Sequence, residues 1–362
     1  MSESSGRARS RHSGVEPAVT IVVVPRERLN RAHACLESLY RNSDVPFRLV
    51  WVDGGSSART ARYLRAEARA RGFELVRTEH YLSPNRARNM GLRRVTTRYV
   101  VFMDNDVVVA PGWLGALVAC ADETGAAVVG PLNCEGPPLH AIIHFAGGEC
   151  RIREERVDGG VRRHMIDRIH RQGERVDEAR GQLRRQPTTA AEFHCLMART
   201  EIFDKIGAFD EGLLTVRENL DFCLAVTQMG GSIYVEPASV ITYLGYEPIA
   251  WREIPFFLLR WNDAWTLRSL HRFRDKWELA EDEYFTRQYR NLQRWRTELF
   301  VVRPLFRHVP SALLRRVLQR LARPVVRSLG NRIVARYTRQ QTRLRWPEHF
   351  VGARDPAVAP PA

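Results

Sequence analysis

Two aspartates one residue apart, Asp104 and Asp106 in FMDND, stand where the chain leaves the apolar run YVVFMD. Side chains at i and i+2 of an extended chain point the same way, so both carboxylates can face one ligand. Such a pair, with positions left open for phosphate oxygens, suits Mg²⁺ or Mn²⁺ bound to a diphosphate. That cation would stabilise negative charge developing on a departing group. Asp and Asn are also ordinary turn residues. The chemical reading gains from the strand that precedes them and from Asp53, in VDGGSS, at the end of another strand. Asp53 reads as a carboxylate accepting hydrogen bonds from a nucleotide base, or as a turn residue. Arg86 and Arg88 in SPNRARNMG could reach the diphosphate from the side opposite the metal, or form a solvated basic helix face. Glu218 and Asp221 lie three apart on a predicted helix and share a face. One of them could act as general base for an acceptor hydroxyl. Thr215 and Glu218 also fit the S/T-x-x-E capping box. Glu192 and His194 read as lining the acceptor side of the cleft. A competing zinc set (His140, His144, Cys134, Cys150 and His194) is interrupted by Pro137-Pro138 and Gly147-Gly148, which argue against one rigid helix.

The elements that must position these residues alternate. Apolar runs at Thr20 to Pro25, Phe47 to Asp53, Phe73 to Arg77, Tyr99 to Asp104 and Ala126 to Val129 predict strands. Amphipathic stretches at 28–41, 57–71, 84–95 and after Pro111-Gly112 predict helices. This order argues for a mainly parallel sheet covered on both faces, with ligands outside the carboxyl ends of its strands. Residues 132–190 read as loop-like, 191–198 as a strand, 217–229 as a helix, and 232–235 and 239–243 as two short strands. Beyond 250 the pattern is helical. The expected division is a disordered tail at 1–18, a catalytic domain at 19–250 with halves 19–131 and 132–250, and a basic helical region at 251–362.

At 362 residues, with 44% hydrophobic and 27% charged residues, the chain can bury a core and is not a largely disordered one. Six scattered cysteines without a C-x-x-C pair read as reduced, buried thiols of a cytoplasmic protein. No signal peptide or membrane-length apolar run is visible. Net charge is +15, carried almost entirely by Arg, with Lys205 and Lys276 the exceptions. Residues 301–362 carry +11 of it and residues 1–300 only +4. Within that tail Leu313, Leu314, Val317, Leu318 and Leu321 share a helical face, flanked by Arg315, Arg316, Arg320 and Arg323. Such a helix either packs on the catalytic domain with its Arg side in water or rests on the inner face of an anionic membrane.

VTIVVVP, VDGGSS, NRARNMG, YVVFMDNDVVVAPGWL and FDKIGAFDEG with RENLDFCL occur in the order of family 2 glycosyltransferases. Over about residues 19–245 the chain resembles that family. The resemblance implies an α/β fold of GT-A type and transfer of a sugar, from a nucleotide-diphosphate donor such as a UDP-sugar, to an acceptor hydroxyl. It further implies inversion at the sugar and dependence on Mn²⁺ or Mg²⁺. Asp53 then corresponds to the base contact, and Asp104 and Asp106 to the metal and diphosphate site. NRA in NRARN is also similar to the donor-side arginine segment of metazoan β-1,4-galactosyltransferases. The acceptor would be a glycan, a lipid-linked molecule or a small molecule, and no nucleic acid is expected. Three departures stand out. Asn219 replaces the Asp that usually serves as base, leaving Glu218 or Asp221. Tyr243 stands where many relatives carry a metal-binding His. PRER at 25–28 lacks the usual Asn-containing start. The Glu-Asn-Leu run is also similar to retaining polypeptide N-acetylgalactosaminyltransferases. Two other readings stay open: a nucleotidyltransferase with a similar acidic site, and a non-catalytic nucleic-acid or membrane-binding protein using the Arg-rich end.

Overall fold

In a computed structural model, which describes residues 16–245, 249–297 and 309–343, the Val-rich run forms strand β1 (Val19–Val24), buried along its whole length. It pairs in parallel with β2 (Phe47–Gly54) on one side and β4 (Tyr99–Asp104) on the other, and β2 pairs in parallel with β3 (Glu74–Thr78). Successive side chains go to opposite faces. Val19, Ile21, Val23, Trp51 and Met103 join a core beneath α1 (Ala32–Asn42), α2 (Ala58–Arg71) and α4 (Trp113–Thr124). Val22, Val24, Val50 and Phe102 join a second core on the other face. That double burial is why these strands read as continuous apolar runs. Helix α3 (Pro84–Leu92) packs close to the sheet at Gly91, where a Cβ would sit 2.2 Å from Val22 Cγ1. Alanine there would overpack the contact at a cost of about 1–3 kcal/mol.

The sheet continues with β5 (Val107–Val109), β6 (Val128–Glu135), β7 (Ile143–Phe145), β10 (Gln186–Thr188), β11 (Cys195–Arg199) and β12 (Ile233–Tyr243). Its order is β10-β12-β6-β11-β4-β1-β2-β3, with β5 on β12 and β7 on β6. The two strands expected at 232–235 and 239–243 are one strand, β12, with a register shift between Glu236 and Val240.

Residues 132–190 are not loop-like. β8 (Gly148–Val157) and β9 (Gly160–Ile169) form a ten-pair antiparallel hairpin outside the main sheet. Its outer surface is charged, which hid the strand pattern. The Asp158-Gly159-Gly160 turn, with both glycines at positive φ, was the readable signal. A single turn, α5 (Val176–Ala179), follows.

Helices α6 (Ile202–Ile206), α7 (Glu218–Gln228), α8 (Ile254–Arg260), α9 (Asp263–Lys276) and α10 (Glu283–Thr297) complete the second face. Phe257, Leu258, Leu270 and Phe273 join the same core as Phe102 and Leu220. The helical C-terminal segment is therefore packed onto the sheet domain from its first helix. The last helix, α11 (Ala312–Arg343), is anchored by its second half. Val326 and Gly330 are buried, Arg327 Nε lies 2.9 Å from Asp263 Oδ2, and Tyr337 Oη donates to the Tyr81 carbonyl at 2.6 Å. Its first half leaves Leu313, Leu314, Val317 and Leu321 exposed. Among the described residues no helix is long and apolar enough to cross a membrane. All six cysteines are buried and outside disulfides.

Candidate functional site

The Asp-Asn-Asp segment leaves β4 beside the loop that leaves β1, and Asn105 joins the two. Its side-chain oxygen accepts from the Arg26 amide, its Nδ2 donates to the Arg28 carbonyl at 2.8 Å, and its own amide donates to the Val24 carbonyl at 3.1 Å. Pinned in this way, Pro25-Arg26-Glu27-Arg28 delivers two guanidinium groups to the two aspartates. Arg26 Nη1 is 2.7 Å from Asp104 Oδ2, and Arg28 Nη1 is 3.8 Å from Asp106 Oδ2. Both aspartates are buried. Burial works to raise the Asp104 pKa, yet Arg26 and the His194 ring, 3.1 Å away, bring it below the usual carboxylate range. Burial with Asp104 as neighbour pushes Asp106 up to about 7. Among the described residues, Asp104 Oδ1 and both oxygens of Asp106 accept no hydrogen bond. Buried carboxylate oxygens without partners are costly, and they are the donor type that hard divalent cations take. The residues present fit Mg²⁺ or Mn²⁺.

Beside Asp104 opens a cleft of about 220 Å³, whose wall includes Arg26, Arg88, Glu192, His194, Glu218 and Arg260. Arg88 projects from α3 and is fully buried, with its guanidinium carbon 3.6 Å from the centre of the Phe193 ring. Nη1 donates to Asn85, whereas Nε and Nη2 make no hydrogen bond, and burial lowers the pKa to about 10. Arg260, at the end of α8, pairs with Glu27 at 3.1 Å and leaves Nη1 without a hydrogen bond. Glu218 lies between these cations, 3.9 Å from Arg88 Nη1 and 3.7 Å from Arg260 Nη2.

The capping box expected from Thr215 and Glu218 does not form. Arg217 takes the N-cap position of α7 with φ 71°, and the buried Thr215 hydroxyl makes no hydrogen bond. The left-handed turn at Arg217 leaves Glu218 free to face the cleft instead of the helix end. The Arg217 side chain ties this turn to the hairpin and to α10, donating to Asp167 at 2.8 Å, Tyr284 at 2.7 Å and Gln288 at 2.8 Å.

The other expected residues are placed differently. Asp221 is on the buried side of α7, where Lys276 Nζ and Trp277 Nε1 donate to it at 2.8 and 2.9 Å. Burial raises its pKa. Arg86 is two residues from Arg88 and so on another side of α3, near Glu211 and Tyr337. Asp53 ends β2 and accepts from the Ser56 amide at 3.1 Å, the Ser56 hydroxyl at 2.8 Å and Arg77. Glu192 and His194 line the cleft, and Tyr243 stacks on the His194 ring at 4.1 Å. Three participants were not read from the sequence: Arg26, Arg28 and Arg260. His144 was read only as part of a zinc set, of which the structure brings His144 and His194 together, with Glu192, while His140 bonds Thr242 and Cys150 lies against the Leu220 carbonyl. PRER was legible only as a departure, although two arginines beside an acidic strand end are an electrostatic signal. Arg260 lies far along the chain, in a region that reads only as helix.

The chain is similar to several other proteins. It is 30% identical over 222 residues to the uncharacterized protein y4gI of Sinorhizobium fredii, covering 59% of this chain and 23% of that protein. It is 23% identical over 227 residues to the pre-mycofactocin glycosyltransferase of Mycobacterium tuberculosis, covering 62% and 42% respectively. The chain thus spans less than half the length of either relative. Among solved structures it is similar to GalNAc-T7 with UDP, GalNAc and Mn²⁺ (TM-score 0.47, 16% identity, 83% of this chain and 59% of that one). It is also similar to the mannosyltransferase PcManGT of Pyrobaculum calidifontis with GDP-Man and Mn²⁺ (TM-score 0.47, 15% identity, 90% and 76%). The pattern of glycosyl transferase family 2 matches residues 20–207, more than half of the chain. Because that match runs unbroken from β1 through α6, and so takes in both the acidic strand ends and the buried arginine of α3, the chain belongs to glycosyl transferase family 2.

Proposed function

We propose that the protein transfers a sugar from a nucleoside diphosphate donor, a UDP-sugar by preference, to an acceptor hydroxyl, with inversion at the sugar carbon. One observation carries the reading. Buried guanidinium groups of Arg88 and Arg260, with donors that make no hydrogen bond among the described residues, line a cleft together with Arg26 and His194, which contact Asp104, and Asp104 Oδ1 and both oxygens of Asp106 accept no hydrogen bond either. A diphosphate accompanied by a divalent cation satisfies both sets at once.

Asp53 and Arg77, at the ends of neighbouring strands, take the base end of the donor. Arg88, Arg260 and Arg26 hold the diphosphate and oppose the charge that builds on it as the sugar–oxygen bond breaks. Asp104 and Asp106 would hold Mg²⁺ or Mn²⁺, which supplies Lewis-acid stabilisation of the same charge. Glu218 faces the cleft and takes the proton of the acceptor hydroxyl as its oxygen bonds to the sugar carbon. Asp221, held from behind by Lys276 and Trp277, positions the helix that carries Glu218. Glu192 and His194 form the acceptor side. The exposed leucines of α11, with Arg315, Arg316 and Arg320 and no acidic residue between 309 and 343, favour contact with an anionic membrane that bears the acceptor.

Incubation with a panel of nucleotide sugars tests the reading. Free nucleoside diphosphate is the expected product, and release of pyrophosphate would assign nucleotidyl transfer instead. Sedimentation with anionic vesicles tests the membrane contact, which equal pelleting of the full chain and of Leu321→Glu would exclude.

A further inference from the structure

His144 on β7, Glu192 and His194 converge from two separate segments of the chain. Each imidazole is held through Nδ1 by a carboxylate: His144 by Glu135 Oε2 at 2.7 Å, and His194 by Asp104 Oδ2 at 3.1 Å. Both rings therefore present Nε2 to one place, and Glu192 Oε2 lies there, 3.2 Å from His144 Nε2 and 3.9 Å from His194 Nε2. One ligand atom from each of the three residues falls within 4.8 Å of the others. Ligands about 2.0–2.1 Å from a tetrahedral cation are themselves about 3.3 Å apart, between the two distances observed. Metal-binding imidazoles almost always donate their other ring N–H to a carboxylate or carbonyl, which fixes tautomer and orientation. Here both rings already do so.

We propose that His144 Nε2, Glu192 and His194 Nε2 form a second cation site, distinct from Asp104 and Asp106, for a divalent metal of zinc type. Two imidazoles and one carboxylate select such a metal over Mg²⁺ or Ca²⁺, which prefer oxygen ligands. Glu192 and His194 line the cleft, so the fourth position opens toward it and takes a water or an acceptor oxygen. Asp104 sits between the two sites, with Oδ2 orienting His194 and Oδ1 left for the donor cation. The site does not depend on the donor reading, because no nucleotide takes part in it.

The test is a Zn²⁺ titration of the full chain, stripped of metal and free of nucleotide, in competition with a chromophoric chelator. Co²⁺ absorption serves as an independent readout of four-coordinate geometry. One equivalent is expected to bind to the native chain and to Asp106→Asn. His144→Ala is expected to weaken binding at least 100-fold, and Glu135→Gln about 10–100-fold through the lost support. If His144→Ala does not fold, Glu192→Gln carries the same test from the cleft wall. Absence of stoichiometric binding to the native chain overturns the proposal. So does undiminished binding in folded His144→Ala or, in its place, Glu192→Gln.

Discussion

Arg26 Nη1 lies 2.7 Å from Asp104 Oδ2, so a guanidinium occupies part of the donor set that a divalent cation would use. Without nucleotide the arginine and the cation compete for one carboxylate. With nucleotide present, Arg26 has a second anion to serve. Removing it is therefore expected to strengthen cation binding to the free protein and weaken donor binding. A charge-assisted hydrogen bond contributes about 1.5–3 kcal/mol, which is roughly a 10–100-fold change in affinity. Calorimetric titration of Arg26→Gln with Mn²⁺, and separately with a nucleoside diphosphate, checks both directions.

Arg88 is buried with two donor atoms unused, an arrangement whose cost is recovered when an anion binds. Arg88→Met keeps much of the stem over Phe193 and removes the charge. It is expected to melt no lower than the native protein and to lose roughly 100-fold in donor affinity, on the order of the 1.5–3 kcal/mol of a charged hydrogen bond. Thermal melts with and without nucleoside diphosphate separate the two effects. The native protein should gain stability with ligand and the variant should not.

Glu218 and Asp221 are one helical turn apart, yet one faces the cleft and the other faces Lys276 and Trp277. Glu218→Gln is expected to reduce kcat about 10²–10⁴-fold, the usual contribution of a general base, with little change in melting temperature. Asp221→Asn removes the buried carboxylate that accepts from Lys276 and Trp277, and should lower the melting temperature while keeping most of kcat. Steady-state kinetics beside calorimetric melts decide between the two residues. The reverse pattern would make Asp221 the base.

Glu253 lies beside the start of the first helix, accepting from the Asn30 amide, and burial raises its pKa from 4.5 to about 7. The folded protein thus holds this proton more tightly than the unfolded chain does. The stability it contributes is complete below about pH 4.5 and is lost as pH rises through about 7. Glu253→Gln removes the ionisation. Its melting temperature is expected to match the native value near pH 5 and exceed it near pH 8.

The strands around Asp53 and Asp104 were legible because both faces of β1, β2 and β4 are buried, which forces continuous apolar runs ending in carboxylates. Local signals such as these come from neighbouring residues in the chain. The hairpin β8–β9 stands off the main sheet, and its exposed positions hold Arg and Glu, so alternation was masked and only the Asp-Gly-Gly turn remained. Arg260 reaches the site through contacts between distant segments, which spacing alone does not encode, and His144, legible as one histidine of a possible metal set, takes Glu192 and His194 as its neighbours in place of the nearby His140 for the same reason. Glu218 was legible as an acidic residue on a helix. The turn that aims it was not, because a left-handed Arg217 is a conformation that arginine seldom adopts.

The most direct measurement is donor turnover by the full chain with and without divalent cation, scored by release of nucleoside diphosphate. The expected result is release from at least one nucleotide sugar with Mn²⁺ or Mg²⁺ present, abolished by excess chelator and by folded Asp106→Asn. Full turnover in chelator, or full turnover by Asp106→Asn, would contradict the assignment of Asp104 and Asp106 as a cation site for sugar transfer.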